Sequence, residues 1–73
     1  MESYQERMIT ELKELSDKIE KLDAFIQSEK YMALPKQKRI LMMLQLNAMN
    51  QYATILACRC EEEGMKVEDI LDV

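Results

Sequence analysis

Apolar residues recur along the first third of the chain at Met8, Leu12, Leu15, Ile19, Leu22 and Ile26, at spacings of 4, 3, 4, 3 and 4. That is an a/d heptad seam, with Leu12, Ile19 and Ile26 at a and Met8, Leu15 and Leu22 at d. It predicts one long amphipathic helix over about residues 4–30, widened near its end by Phe25. Ser3 and Glu6 form an S-x-x-E capping box at its start, in which each residue satisfies a backbone donor of the other. Glu14 with Lys18 and Asp17 with Lys21 stand in the favourable i,i+4 order, each pair worth about 0.2–0.5 kcal/mol.

The pattern breaks at "SEKYMALPKQ", and the turn is expected over about residues 31–34. Leu34 precedes Pro35 and is pushed towards extended backbone, whereas Pro35 suits the first turn of a new helix. A second helix over about residues 35–63 then ends at Gly64, the expected C′ residue. So short a connection folds two long helices back on each other as an antiparallel hairpin. Residues 1–64 are thus the hairpin, and residues 65–73 an acidic tail or a short last helix carrying Val67, Ile70 and Leu71.

The second helix holds a stretch of nineteen residues without a charge, Ile40 to Cys58. On a wheel of 100° per residue, Met42, Leu46, Met49, Ala53, Leu56 and Cys60 form one stripe, the partner of the first seam. A second apolar stripe, Leu41, Leu44, Ala48, Tyr52 and Ile55, lies about 120° away. One core needs an arc of only about 100°, so the second stripe is expected to meet another surface. With Gln45 and Arg59 set among its positions, it is read first as the interface of a homo-oligomer, a dimer or higher, built into a helical bundle, with a groove for a different partner or the bare back of a monomeric hairpin as the alternatives. The remaining face, Asn47, Asn50, Gln51 and Thr54, is polar but uncharged. Six of the nineteen residues are Asn, Gln, Tyr or Thr, which excludes a lipid-spanning reading.

Composition narrows the chemistry. Seventy-three residues make one domain, and a chain this short is marginal alone without extra support. One Gly, one Pro, one Phe and no Trp argue for an all-α fold. The net charge of −4 resides in the tail. Residues 1–39 carry eight acidic and eight basic side chains, whereas residues 61–73 set Glu61, Glu62, Glu63, Glu68, Asp69 and Asp72 against Lys66 alone. General nucleic-acid binding is therefore disfavoured. The acidic tail reads as a solvated end, or as a phosphate mimic towards a basic partner. With no His, no Gly-rich phosphate loop and no nucleophile beside a base, neither an enzyme, nor a metal site, nor a bound cofactor is expected. Cys58 and Cys60 project about 200° apart on a helix and neither pair nor chelate; Cys60 belongs to the seam and Cys58 lies nearer the polar side. Two thiols and no signal sequence lead to the expectation of a reducing cytoplasm. The methionines of the second helix, Met42, Met43 and Met49, read as core filling or as an adaptable binding groove.

One cluster stands apart. Lys30, Tyr31, Lys36, Lys38 and Arg39 gather at the turn, with three of the cations in the first turns of the second helix. The helix dipole already favours an anion there. The cluster reads either as a solubilising tip or as an anion or partner site, with Lys36 and Arg39 gripping a phosphate or carboxylate and Tyr31 offering a stacking face.

The run "ELKELSDKIEKLDAFI", followed by "LPKQKRILMMLQLNAMNQYATIL", resembles a family of short helical-hairpin proteins of tailed phages and prophages, including those of crAss-like gut phages. The resembling motifs are Asp17 to Ile26, Leu34–Pro35 and Gln45 to Leu56, within residues 5–60, and residues 61–73 look like an addition. The resemblance implies a virus-encoded accessory protein and supplies no biochemical activity. Small phage proteins of this kind commonly bind stoichiometrically, often against host defence. Three functions follow as expectations. The first is an inhibitor of a host defence protein, such as a CRISPR component, contacting it through Met43, Tyr52, Arg59 and the turn cations. The second is an oligomeric sponge for a nucleotide second messenger at the basic turn. The third is a purely structural self-association module.

Overall fold

The computed structural model describes residues 3–67 and Ile70. The chain is all-helical and folds as an antiparallel hairpin: α1 (Tyr4–Ile26), a single turn of helix α2 (Glu29–Met32), and α3 (Lys36–Glu62). It extends 43 Å along its longest axis. No described helix is long and apolar enough to cross a membrane.

Local chemistry sets each boundary. Ser3 is extended and its Oγ accepts from the Glu6 amide at 3.1 Å, the first half of the expected capping box. Asp17 and Lys21 pair at 2.9 Å, whereas Glu14 and Lys18 do not close to ion-pair distance. The first helix stops at Ile26, four residues before the expected end. Ser28 is the reason. Its hydroxyl donates to the Phe25 carbonyl at 2.6 Å and accepts from the Tyr31 amide, so one side chain ends α1 and caps α2. The expected turn over residues 31–34 thus begins earlier and contains a helical turn of its own. Pro35 sits one position outside α3, as its N-cap, with its carbonyl accepting from the Arg39 amide at 3.1 Å.

The C-terminal stop of α3 is a Schellman motif, in which two amides beyond the helix satisfy its last free carbonyls. The Gly64 amide donates to the Glu61 carbonyl at 2.9 Å and the Met65 amide to the Cys60 carbonyl at 3.0 Å. Gly64 has φ of 82°, a left-handed conformation that costs an L-residue roughly 1–2 kcal/mol.

Both predicted seams face inward. Met8, Leu12, Leu56, Cys60 and Ile70 form the buried core, with Ile9, Leu15, Ala57, Met65 and Val67 packed against it. The core therefore lies at the end of the hairpin where the start of α1 meets the end of α3. Beyond Gly64 the chain turns back, Val67 and Ile70 are helical, and Ile70 closes the core; Leu71 lies outside the described residues. Towards the connecting turn the seam positions Ile19, Leu22, Met42, Leu46 and Met49 are only half-buried.

Gly64→Ala should lower stability by about 1 kcal/mol through backbone strain alone, because nothing lies within 4 Å of the added methyl. Leu56→Ala, at a fully buried position, should cost about 2–5 kcal/mol. Denaturant unfolding followed by circular dichroism measures both, and equal costs would contradict this placement of the core.

Candidate functional site

Two outer surfaces carry the residues singled out by pattern. The first is the outer face of α3. Leu41, Leu44 and Ile55 are 55%, 57% and 57% exposed, Tyr52 is 40% exposed, and Ala48 and Gln45 are exposed as well. Ile40 and Met43 extend this apolar surface. Among the described residues none covers it, because α1 lies against the other stripe of α3.

The polar members of this face are tied to α1. The Tyr52 hydroxyl donates to the Glu11 carboxylate, and Arg59 donates to the Tyr4 hydroxyl. The Arg59 guanidinium also lies 6.0 Å from the centre of the Tyr4 ring, within cation–π range. The hydrogen bond to Glu11, more than desolvation or the charge itself, raises the pKa of Tyr52 above the ordinary tyrosine value. Tyr52 and Arg59 thus have intramolecular partners, and the adjoining face left for another molecule is aliphatic.

The second surface is the turn. Tyr31 is 6% exposed and its hydroxyl donates to the Arg39 carbonyl at 3.1 Å. Its ring meets Phe25 edge to face, with centroids 6.4 Å apart. The expected role of Tyr31 as a stacking face is therefore corrected: it is the buried pin that fixes α2 against the start of α3. Around it Lys30, Lys36 and Lys38 are exposed and Arg39 is half-buried. Among the described residues no carboxylate comes within 4 Å of any of these four cations. Arg39 Nε is buried without a hydrogen-bond partner. The first turn of α3 holds no acidic residue and its N-cap makes no side-chain hydrogen bond, so the free amides of this helix end add their partial positive charge to that of the cations around it.

Between the two surfaces lies a cleft that the sequence pattern does not reveal. Lys18, Lys21, Leu22, Phe25, Met42, Gln45 and Met49 line a space of about 420 Å³. Its floor is the half-buried part of the seams, and its rim carries two lysines, one of them paired with Asp17. The heptad pattern gives the floor residues their face but not the gap between them. The signal that was available is the pair of lysines, Lys18 and Lys21, that precede Leu22 on α1.

No group of three or more side chains able to ligate a metal converges among the described residues. Cys58 is exposed and Cys60 is buried; burial pushes the Cys60 thiol up. Glu61, Glu62 and Glu63 are exposed, and Glu68, Asp69 and Asp72 lie outside the described residues.

A family model described as Sequestin matches residues 2–62 of the chain, and the protein belongs to that family. Neither a curated protein nor a solved structure matches it.

Two measurements check the site. A thiol reagent should label Cys58 in the folded protein and Cys60 only on unfolding, so mass spectrometry should find one adduct before denaturation and two after. In an alkaline ultraviolet titration, Tyr52 should ionise above the ordinary tyrosine range, and Glu11→Gln should bring it back down. Because folding raises this pKa, the contribution of Tyr52 to stability is present below the ordinary value and is lost as pH rises through the raised one.

Proposed function

We propose that this member of the Sequestin family holds its target by stoichiometric binding, and that the target is a small anionic molecule of the nucleotide second-messenger class, captured by a homo-oligomer. The family's name supports sequestration. The observation that carries the choice of ligand is the turn. Lys30, Lys36, Lys38 and Arg39 surround it without carboxylate partners among the described residues, beside a helix N-terminus with no side-chain cap. Like charges brought together at that end of a helix cost stability, and a phosphate relieves the cost while accepting from backbone and side chains. The exposed aliphatic face of α3 supports self-association, since contiguous apolar patches on monomers are usually small. The resemblance to phage and prophage hairpins supports a virus-encoded role against host defence in the bacterial cytoplasm.

A second reading keeps the viral role and makes the target a host defence protein. Met43, 53% exposed beside the aliphatic face, favours it, whereas the internal partners of Tyr52 and Arg59 take away two of its expected contacts. The purely structural module has no observation of its own in its favour.

Titration calorimetry of the full chain against a panel of cyclic and linear nucleotides tests the reading. At least one member should release heat, with an affinity that weakens as salt rises. Each of Lys36→Glu and Arg39→Glu should weaken binding about tenfold or more, by loss of a charge-assisted contact and added repulsion, with helicity unchanged. Absence of heat across the panel, with a host protein retained on the immobilised chain, would replace this reading by the second.

A further inference from the structure

The apolar face of α3 is palindromic. Leu41, Leu44, Ala48, Tyr52 and Ile55 follow at spacings of 3, 4, 4 and 3, which read the same in either direction about Ala48. All five are exposed in the single chain. We propose that α3 packs antiparallel on α3 of a second copy, with the two-fold axis passing beside Ala48. The proposal rests on the self-association included above and specifies its partner surface, direction and register.

In that register Leu41 of one copy meets Ile55 of the other, and Leu44 meets the ring of Tyr52, twice over by symmetry. A closed two-fold contact demands such self-complementarity, residue i on j and j on i. The smallest side chain of the stripe falls at its centre. Ala48 against Ala48 lets the helix axes approach to about 8 Å, the lower end of ordinary helix packing, while the larger residues fill the space to either side.

Charge selects the direction. The start of α3 carries Lys36, Lys38 and Arg39, and its end carries Glu61, Glu62 and Glu63 with Arg59, formal charges of +3 against −2. At 1.5 Å per residue, Lys36 lies about 18 Å and Glu62 about 21 Å from Ala48 along the axis. An antiparallel pair therefore brings the cationic turn of each copy beside the acidic turn of the other and opposes the two helix dipoles. A parallel pair sets cations on cations, carboxylates on carboxylates, and dipole beside dipole, all unfavourable. The link between Tyr52 and Glu11 leaves the ring in place on the face while its hydroxyl points towards α1.

Light scattering and cysteine cross-linking separate the parts of the proposal. The full chain should elute with the mass of two copies, or a multiple of two. Ala48→Arg should give a monomer with unchanged helicity by circular dichroism, since residue 48 is exposed. In a Cys58→Ser background, Ala48→Cys should cross-link to itself under a short thiol reagent. Leu41→Cys and Ile55→Cys should each fail to do so alone, because in this register like positions stand about 21 Å apart, and should cross-link when mixed. Self-linking of Leu41→Cys would overturn the antiparallel register while leaving self-association intact. A wild-type chain that stays monomeric at all concentrations would overturn the interface itself, and calorimetry on that monomer would then decide ligand capture independently.

Discussion

The hairpin is held from the end where the start of α1 meets the end of α3. Leu12 from α1 and Leu56 and Cys60 from α3 are the fully buried side chains, with Met8 and Ile70 completing the cluster. A chain of this size has little apolar area to spend, and it concentrates that area at one end instead of spreading it along both helices. The opposite end is secured differently. There, Tyr31 replaces an aliphatic core, with its ring against Phe25 and its hydroxyl on the Arg39 carbonyl. Between these two anchors the helices touch through half-buried residues, and the lysine-rimmed cleft opens in that middle stretch.

Much of this was legible in the sequence. The heptad seam of α1 and the first stripe of α3 need only a period, and a period is what a sequence displays most directly. Gly64 was legible because only a left-handed residue ends a helix in that way. The end of α1 was not. Ser28 has two hydrogen-bond roles at once, and nothing in "FIQSEKYM" says that the hydroxyl will turn away from helix continuation rather than lie on its surface. Ser, Asp and Asn compete with the helix backbone in this manner wherever tertiary contacts permit.

The candidate sites divide along the same line. The exposure of Leu41, Leu44, Ala48 and Ile55 follows from wheel geometry, since α1 can cover only one stripe. The fate of Tyr31 does not, because an aromatic residue in a turn looks the same in sequence whether it is displayed or buried. Tyr52 and Arg59 teach the same lesson. Each looked available for an outside partner, yet each has a polar partner on α1, 41 and 55 residues away in sequence. A local pattern carries no information about a contact closed over such a distance.

The left-handed turn at Gly64 has one further consequence. The segment shared with the Sequestin family runs to residue 62, just before the turn. Everything that follows lies outside it, yet Met65, Val67 and Ile70 shut the core from below. The chain therefore separates into a common frame and a stopper. Changes at the stopper alter how firmly the frame stays closed, and they leave untouched both the basic turn, at the far end of the hairpin, and the aliphatic flank of α3. Stability can in this way be adjusted within a very short chain without altering either outer surface.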